Sequence, residues 1–398
     1  MLTLHRKNGY NMQRITSNVH FIGAEDDNLD LFEGQYPVPG GISYNSYLID
    51  DEKTAVVDAV DVRRCGDWLD ALDTALAGRT PDYLIVQHME PDHSGSIGAL
   101  LARHPDTKVV ATAKAVAMMG NFFEDIDFST RTIAVGDGDT LSLGGTTLRF
   151  VTAPMVHWPE VMMTCDESDG ILFSADAFGT FAMSDATGCW EAEARRYYCN
   201  IVGKYGSSVQ SVMAKLAPLK FGIIAPLHGP VLRGDLGHYW KLYDKWSRYE
   251  PECRGVLVTY ASVYGGTAEA ARRLAAMLRD RDAGEVVLMD LCRHDVSYAV
   301  AEAFRLSSMA LCSVTYDGAL YPAMYNFLHH LGMKALRGRT AGIVENGSWA
   351  PVAGRLMRDM LGKMKDMTVV DPAVTIRSRL HEGDMHALTA LADALVEA

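Results

Sequence analysis

Between Val86 and Gly95 the chain reads VQHMEPDHSG, which places His88, Glu90, Asp92 and His93 within six positions, separated only by Met89 and Pro91. Imidazole and carboxylate at that density are the makings of a metal site. If the segment is extended, residues 88, 90 and 92 project to one side and His93 to a neighbouring position. That array is crowded for one ion and suits two. The buried run YLIV, Tyr83 to Val86, precedes the cluster, and SGSIGALLARH, with the Ser and Gly of a helix start, comes after it. The cluster therefore belongs to a strand-to-helix loop, where functional groups collect.

Three more ligand-type residues stand after apolar β runs: His157 in APMVHWPE, Asp176 in FSADAFG and His228 in IIAPLHGP. Taken singly, each reads more readily as a hydrogen-bonded structural residue. Jointly with the loop at His88, they resemble the ligand order of the metallo-β-lactamase fold, H-x-H-x-D-H followed by His, Asp and His, over residues 20 to 240. The second position of that motif, His in the zinc hydrolases, is Glu90 here. More carboxylate and less imidazole favours a harder, redox-active metal such as iron. The H-x-E-x-D-H variant resembles the flavodiiron proteins. That resemblance implies a non-haem diiron site with His88, Glu90 and His157 on one iron, Asp92, His93 and His228 on the other, and Asp176 bridging them.

The second half of the chain carries a different kind of loop. After the apolar run GVLVTY comes SVYGGT, in which Ser262, Val263, Tyr264, Gly265, Gly266 and Thr267 lead straight into a helix. Hydroxyls and amide N–H groups at a helix N-terminus hold phosphate without Lys or Arg. The loop lacks G-K-[ST] and G-x-G-x-x-G, so it is neither a Walker loop nor a dinucleotide turn. Two further loops come after apolar runs, one with Ser313, Val314, Thr315, Tyr316, Asp317 and Gly318, the other with Asn346, Gly347, Ser348 and Trp349. All three resemble the FMN loops of flavodoxins. The likeness places the phosphate on Ser262 to Thr267 and the ring between the second and third loops, with Tyr316 and Trp349 equally readable as rim packing.

The elements that must position these residues show in the apolar rhythm. Up to about residue 250, short strands come in a row with helices inserted: NSYLI, TAVVDAV, a helix over Asp67 to Ala77, then YLIV. The stretch RTIAVGDGDTLSLGGTTLRFVTAP has turn signals every few residues and predicts antiparallel hairpins. From Gly255 strands and helices alternate strictly, with helices at 268–280, 296–305, 323–334 and 352–364, which predicts a doubly wound parallel sheet. The whole is α/β: residues 1–250 as a metallo-β-lactamase-like αββα sandwich and residues 251–398 as a flavodoxin-like domain. Met12 is a candidate natural start.

Composition narrows the function classes. An apolar fraction of 48% and a charged fraction of 22% in 398 residues describe ordinary globular domains. A formal charge of −13, with 37 basic residues that form no run, argues against nucleic acid. No segment approaches a membrane span or the apolar core of a signal peptide. Seven scattered cysteines with no C-x-x-C pair fit free thiols in a reducing cytoplasm.

The resemblance covers nearly the whole chain and implies an oxidoreductase that reduces O2 to water, NO to N2O, or both, with FMN and two irons. Tyr197, Tyr198, His20 and Trp158 are candidate sources of protons and hydrogen bonds. In the family, each chain's flavin lies far from its own irons, which implies a head-to-tail homodimer or a dimer of dimers. Without a C-x-x-C pair no rubredoxin-like module is expected in the chain, so the electron donor is a separate rubredoxin-like protein or a reduced deazaflavin. Two rival readings stay open: a zinc hydrolase fused to a flavodoxin, and a flavin electron carrier whose metal loop is degenerate.

Overall fold

The computed structural model describes residues 13–398, so the start at Met12 lies outside the described residues. The described residues divide into two compact units, 13–198 with Ser207–Tyr243, and Cys199–Gly206 with Asp244–Ala398.

In the first unit a seven-stranded sheet runs in the order Gln13–Arg14, Val19–Phe21, Tyr47–Asp50, Thr54–Val57, Tyr83–Val86, Lys108–Thr112 and Thr132–Val135. The pairings are antiparallel as far as Thr54–Val57 and parallel beyond it. The helix Cys65–Leu76 makes one crossover between the parallel strands, burying Trp68, Leu69, Leu72 and Leu76 at helical spacing. A second sheet has five strands: Thr140–Ser142, Thr147–Thr152, Met162–Asp166, Ile171–Phe173 and Ile223–Ala225. The two sheets face each other across one apolar core, to which Tyr47, Val57, Ile85 and Val110 of the first and Phe150, Met162 and Phe173 of the second contribute. This is the expected sandwich.

One expectation fails in detail. Thr132–Val135 does not form a hairpin with Thr140–Ser142 but lies parallel to Lys108–Thr112 in the first sheet, and only Thr140–Ser142 and Thr147–Thr152 form the hairpin. The turn signals of GDGD are real, with Gly138 at φ +83° and the Gly136 N–H donating to Asp139. Their job is to carry the chain from one sheet to the other.

The second unit is a parallel sheet in the order Glu285–Asp290, Cys253–Ala261, Leu306–Tyr316, Thr340–Asn346 and Thr368–Val369. Its first four strands therefore run 2-1-3-4, the flavodoxin-like winding, which reverses beside the first strand. Residues 255 to 261 are buried without a break because helices cover both faces. The helix Gly266–Asp280 turns Ala270, Ala271, Leu274, Ala275 and Leu278 inward. Val296–Arg305 begins where expected, after Asp295, whose side chain accepts from the Ser297 N–H at 2.9 Å. The short strand Val374–Ile376, beside Thr340–Asn346, has too few apolar residues to stand out in the sequence. Among the described residues no helix is long and apolar enough to cross a membrane.

Candidate metal centre

The metal loop begins as the strand Tyr83–Val86 ends. A buried carboxylate secures that point: Asp58 accepts from the Gln87 N–H at 2.8 Å, from Gln87 Nε2 at 2.9 Å and from the His88 N–H at 3.3 Å. Burial raises its pKa to about 6 in spite of those bonds and the nearby His93. The backbone stays extended to Glu90 and then turns into the short helix Pro91–Ser94. Pro91 sits in its first turn, where a fixed φ and a missing N–H cost nothing. Residues 88, 90 and 92 therefore do not share one side, as a fully extended loop would require. His88 and Glu90 point to one group and Asp92 and His93 to another.

The other three residues complete the two groups. His88, Glu90, His157 and Asp176 form one, and Asp92, His93 and His228 the other, the ligand atoms within each lying within 4.8 Å of one another. Asp176, at the end of Ile171–Phe173, addresses both groups with different oxygens. Its Oδ2 is 3.1 Å from His157 Nε2 and 3.4 Å from His88 Nε2, and its Oδ1 is 3.2 Å from His93 Nε2. Glu90 Oε2 stands 3.0 Å from His157 Nε2 and 3.2 Å from His88 Nε2. Asp92 Oδ2 is 3.3 Å from both His93 Nε2 and His228 Nε2.

The donor set fits a pair of cations. Both oxygens of Asp92, together with Asp176 Oδ1, are buried with no hydrogen-bond partner among the described residues. Buried carboxylate oxygens left that way call for a positive charge. The field of the site says the same. Burial opposes charge on His88, yet Asp176, Glu160 and Glu90 raise its pKa well above the ordinary value, and His157 is lifted to about 9 by Asp176 and Glu90 against the same opposition. Burial likewise opposes ionisation of Asp176 and Glu90, and the histidines nonetheless hold both below the usual carboxylate range. A site that favours cationic histidines this strongly also favours metal, which competes with the proton for the same nitrogens.

Two of the rings are aimed from behind. Glu160 Oε1 accepts from His88 Nδ1 at 2.8 Å, and the Ser43 carbonyl accepts from His228 Nδ1 at 2.7 Å, leaving Nε2 of each ring for a metal. Neither Ser43 nor Asp58 carries a signal in its sequence context. Glu160 is a carboxylate three residues after His157, a signal that a search for ligands alone passes over.

A cavity of about 260 Å³ opens onto this centre, with Glu90 and Asp92 in its wall alongside Phe32, Tyr44 and Arg63. Arg63 donates to the Tyr44 hydroxyl at 2.8 Å. At its rim, desolvation and the charge of Glu90 push Glu33 up to about 7.

Of the residues expected to supply protons, Trp158 and Tyr197 lie against the metal groups, and of these two only Tyr197 carries a hydroxyl. It is buried, its ring centroid is 5.6 Å from that of His228, and burial with the charges of Asp176, Asp92 and Glu90 raises its pKa well above the ordinary value. Tyr198 packs edge-on to Tyr243, and Trp158 edge-on to His88 at 5.2 Å. His20 pairs with Leu48 in the first sheet and has Asp50 and Arg14 as its charged neighbours. It is not brought to the metal groups.

In the second unit the three expected loops lie at the C-terminal ends of parallel strands, as the winding requires. Ser262 accepts from the Gly265 N–H at 3.1 Å, closing the first loop with Gly265 at φ +92°. A Cβ on Gly266 would stand 2.0 Å from the Ser378 carbonyl oxygen, so only glycine fits there. Asn346 ties the loops together: its Nδ2 donates to Thr267 Oγ1 at 3.2 Å and to the Ser378 carbonyl at 3.1 Å, and its Oδ1 accepts from the Ser378 N–H at 2.9 Å. Thr267, Ser313 and Asn346 are buried, whereas Val263, Tyr264, Tyr316 and Trp349 are exposed. The segment at Ser378 carries no more signal in the sequence than the short strand before it.

Comparison with known proteins agrees with this anatomy. Residues 42–229 match the family model described as ODP family beta lactamase. The anaerobic nitric oxide reductase flavorubredoxin of Pectobacterium carotovorum is 30% identical over 84% of this chain and 68% of its own length. Rubredoxin oxygen:oxidoreductase from Desulfovibrio gigas superposes with a TM-score of 0.91 at 26% identity, over 97% of this chain and 98% of that one. The flavodiiron protein from Giardia intestinalis has the same fold, with a TM-score of 0.89 at 24% identity over 98% and 97% of the two chains. A lactamase-like sandwich with paired metal groups, carried in one chain with a flavodoxin-like sheet, defines a class of oxidoreductase. The chain belongs to the flavodiiron protein family.

Proposed function

We propose that this chain reduces O2 to water, NO to N2O, or both, at two irons supplied with electrons through FMN. The observation that carries the reading is Asp176, one carboxylate facing two ligand groups with its two oxygens. His88, Glu90 and His157 would hold one iron and Asp92, His93 and His228 the other, with Asp176 facing both. The carboxylate at Glu90, where a zinc hydrolase has His, favours iron. The loops at Ser262 to Thr267, Ser313 to Gly318 and Asn346 to Trp349 would hold FMN, the first taking its phosphate.

When bound, FMN takes electrons in pairs and passes them singly, and two irons store two more, which suits four electrons and four protons for O2 or two of each for two NO molecules. The chain's own residues do the rest. Glu160 and the Ser43 carbonyl keep the protons of His88 and His228 on Nδ1, so that each Nε2 faces a metal. Phe32 and Tyr44 stand in the wall of the cavity that opens onto the centre. The Tyr197 hydroxyl, kept neutral by burial and by the surrounding carboxylates, would hold a proton on the His228 side of the centre. A second copy docked head to tail would let the flavin unit of one serve the metal centre of the other. The electrons come from a rubredoxin-like donor or a reduced deazaflavin.

Metal and flavin analysis, followed by anaerobic reduction and separate O2 and NO electrode traces, tests the reading. Two irons and one FMN per chain with consumption of either gas support it. Two zincs and no consumption return the chain to the zinc hydrolases.

A further inference from the structure

The two ligand groups have the same inventory: two imidazoles, one carboxylate of their own and one oxygen of Asp176. What stands behind the ligands is not the same. His88 Nδ1 donates to Glu160 Oε1 at 2.8 Å, and that oxygen also accepts from the Met89 N–H at 2.9 Å, so the carboxylate is fixed in place. Glu160 is 1% exposed, and its carbonyl accepts from Thr112 Oγ1 at 2.9 Å. In the other group His228 Nδ1 donates to a neutral carbonyl, that of Ser43. His93 Nδ1 and both oxygens of Asp92 are buried with no hydrogen-bond partner among the described residues. Asp58, the remaining buried carboxylate nearby, uses its oxygens on Gln87 and the His88 N–H and bonds neither ring.

A carboxylate behind an imidazole strengthens its other nitrogen as a donor and fixes its orientation, and losing such a partner commonly costs about 10–100-fold in metal affinity. A buried ligand N–H with no acceptor works the other way. We infer that Glu160 makes the two metal subsites unequal, so that the metal on His88, Glu90 and His157 is held more tightly than the one on Asp92, His93 and His228. This rests on the dinuclear reading above. It makes Glu160 a positioning residue whose charge acts through His88 on one metal only.

The test uses the full-length, flavin-loaded, iron-loaded protein, equilibrated anaerobically with increasing concentrations of a ferrous chelator, with iron per chain as the readout. The wild type is expected to lose its irons in two steps separated by about 10–100-fold in chelator. Glu160→Gln keeps an acceptor for His88 but removes the charge, and should move only the second step, by about tenfold, with flavin content unchanged. Thr112→Val, which leaves the charge in place, should move neither. Loss of both irons in one step, or a Glu160→Gln shift confined to the first step, overturns the inference. Should Glu160→Gln not fold, His228→Ala decides: one iron retained at the wild-type second step supports the inference, and a remaining iron that leaves at the first step overturns it. Protein that never holds two irons fails the dinuclear reading instead.

Discussion

His93 Nε2 and His228 Nε2 face each other at 3.1 Å, both rings buried and their centroids 4.6 Å apart. Two neutral imidazoles turned this way would present lone pair to lone pair unless one kept a proton there. The contact makes sense as half of a coordination shell, with Asp92 Oδ2 equidistant from both nitrogens as the third member.

Asp176→Ala removes the one residue common to both groups. Iron should fall from two per chain to one or fewer. Consumption of O2 or NO by the flavin-reduced protein should drop by more than about 100-fold, since losing even a supporting partner of a ligand costs 10–100-fold. Wild-type consumption by this variant would refute the bridging role.

Tyr197→Phe keeps the ring that packs near His228 and deletes only the hydroxyl. Iron and flavin contents should stay at wild-type levels while turnover falls by roughly 100-fold, the scale of a lost positioned proton donor. An unchanged rate would leave Tyr197 as packing.

Gly266→Ala should release flavin. Its Cβ would collide with the Ser378 carbonyl, which is backbone and cannot swing aside. The ratio of flavin to protein reads this directly, and the iron content serves as the control that should not move. A fully flavinated variant would show that the first loop does not need this close approach.

Arg339 is a buried guanidinium, its pKa lowered by burial to about 10, which donates to the carbonyls of Tyr249, Phe304 and Ala303 at 2.7, 2.7 and 3.1 Å. Arg339→Ala strands these acceptors, at about 1–3 kcal/mol each, and opens a cavity. The second unit should melt roughly 6–12 °C lower, taking about 3 kcal/mol at 2–4 °C for each. Flavin release on heating measures it, and an unchanged midpoint would mean water replaces the side chain.

Much of this site was legible in the sequence because its parts sit where apolar runs stop. His88 to His93 crowd one loop, and His157, Asp176 and His228 each end a β run, so ligand type and position pointed the same way. The sheet of the second unit was legible for a similar reason, its inner strands being buried on both faces and its helices periodic. What escaped depended on partners distant in the chain. Ser43 acts through a carbonyl every residue has, and Ser378 comes after a three-residue strand. The sheet to which Thr132–Val135 belongs is decided by the neighbour it meets, which its own alternation does not encode. Alternation alone puts Asp92 on the side of His88 and Glu90, because it treats Pro91 as a spacer although its fixed φ starts a helical turn; the family's ligand order puts Asp92 with His93 and His228, where it lies.

That turn at Pro91 has a consequence for how the two metals are spaced. Four of the seven ligand residues leave the backbone within six positions of one segment, whereas His157, Asp176 and His228 come from loops that follow strands of the second sheet. The separation between the two centres is therefore gauged twice, by the turn at Pro91 from one side and by the two oxygens of a single carboxylate, Asp176, from the other.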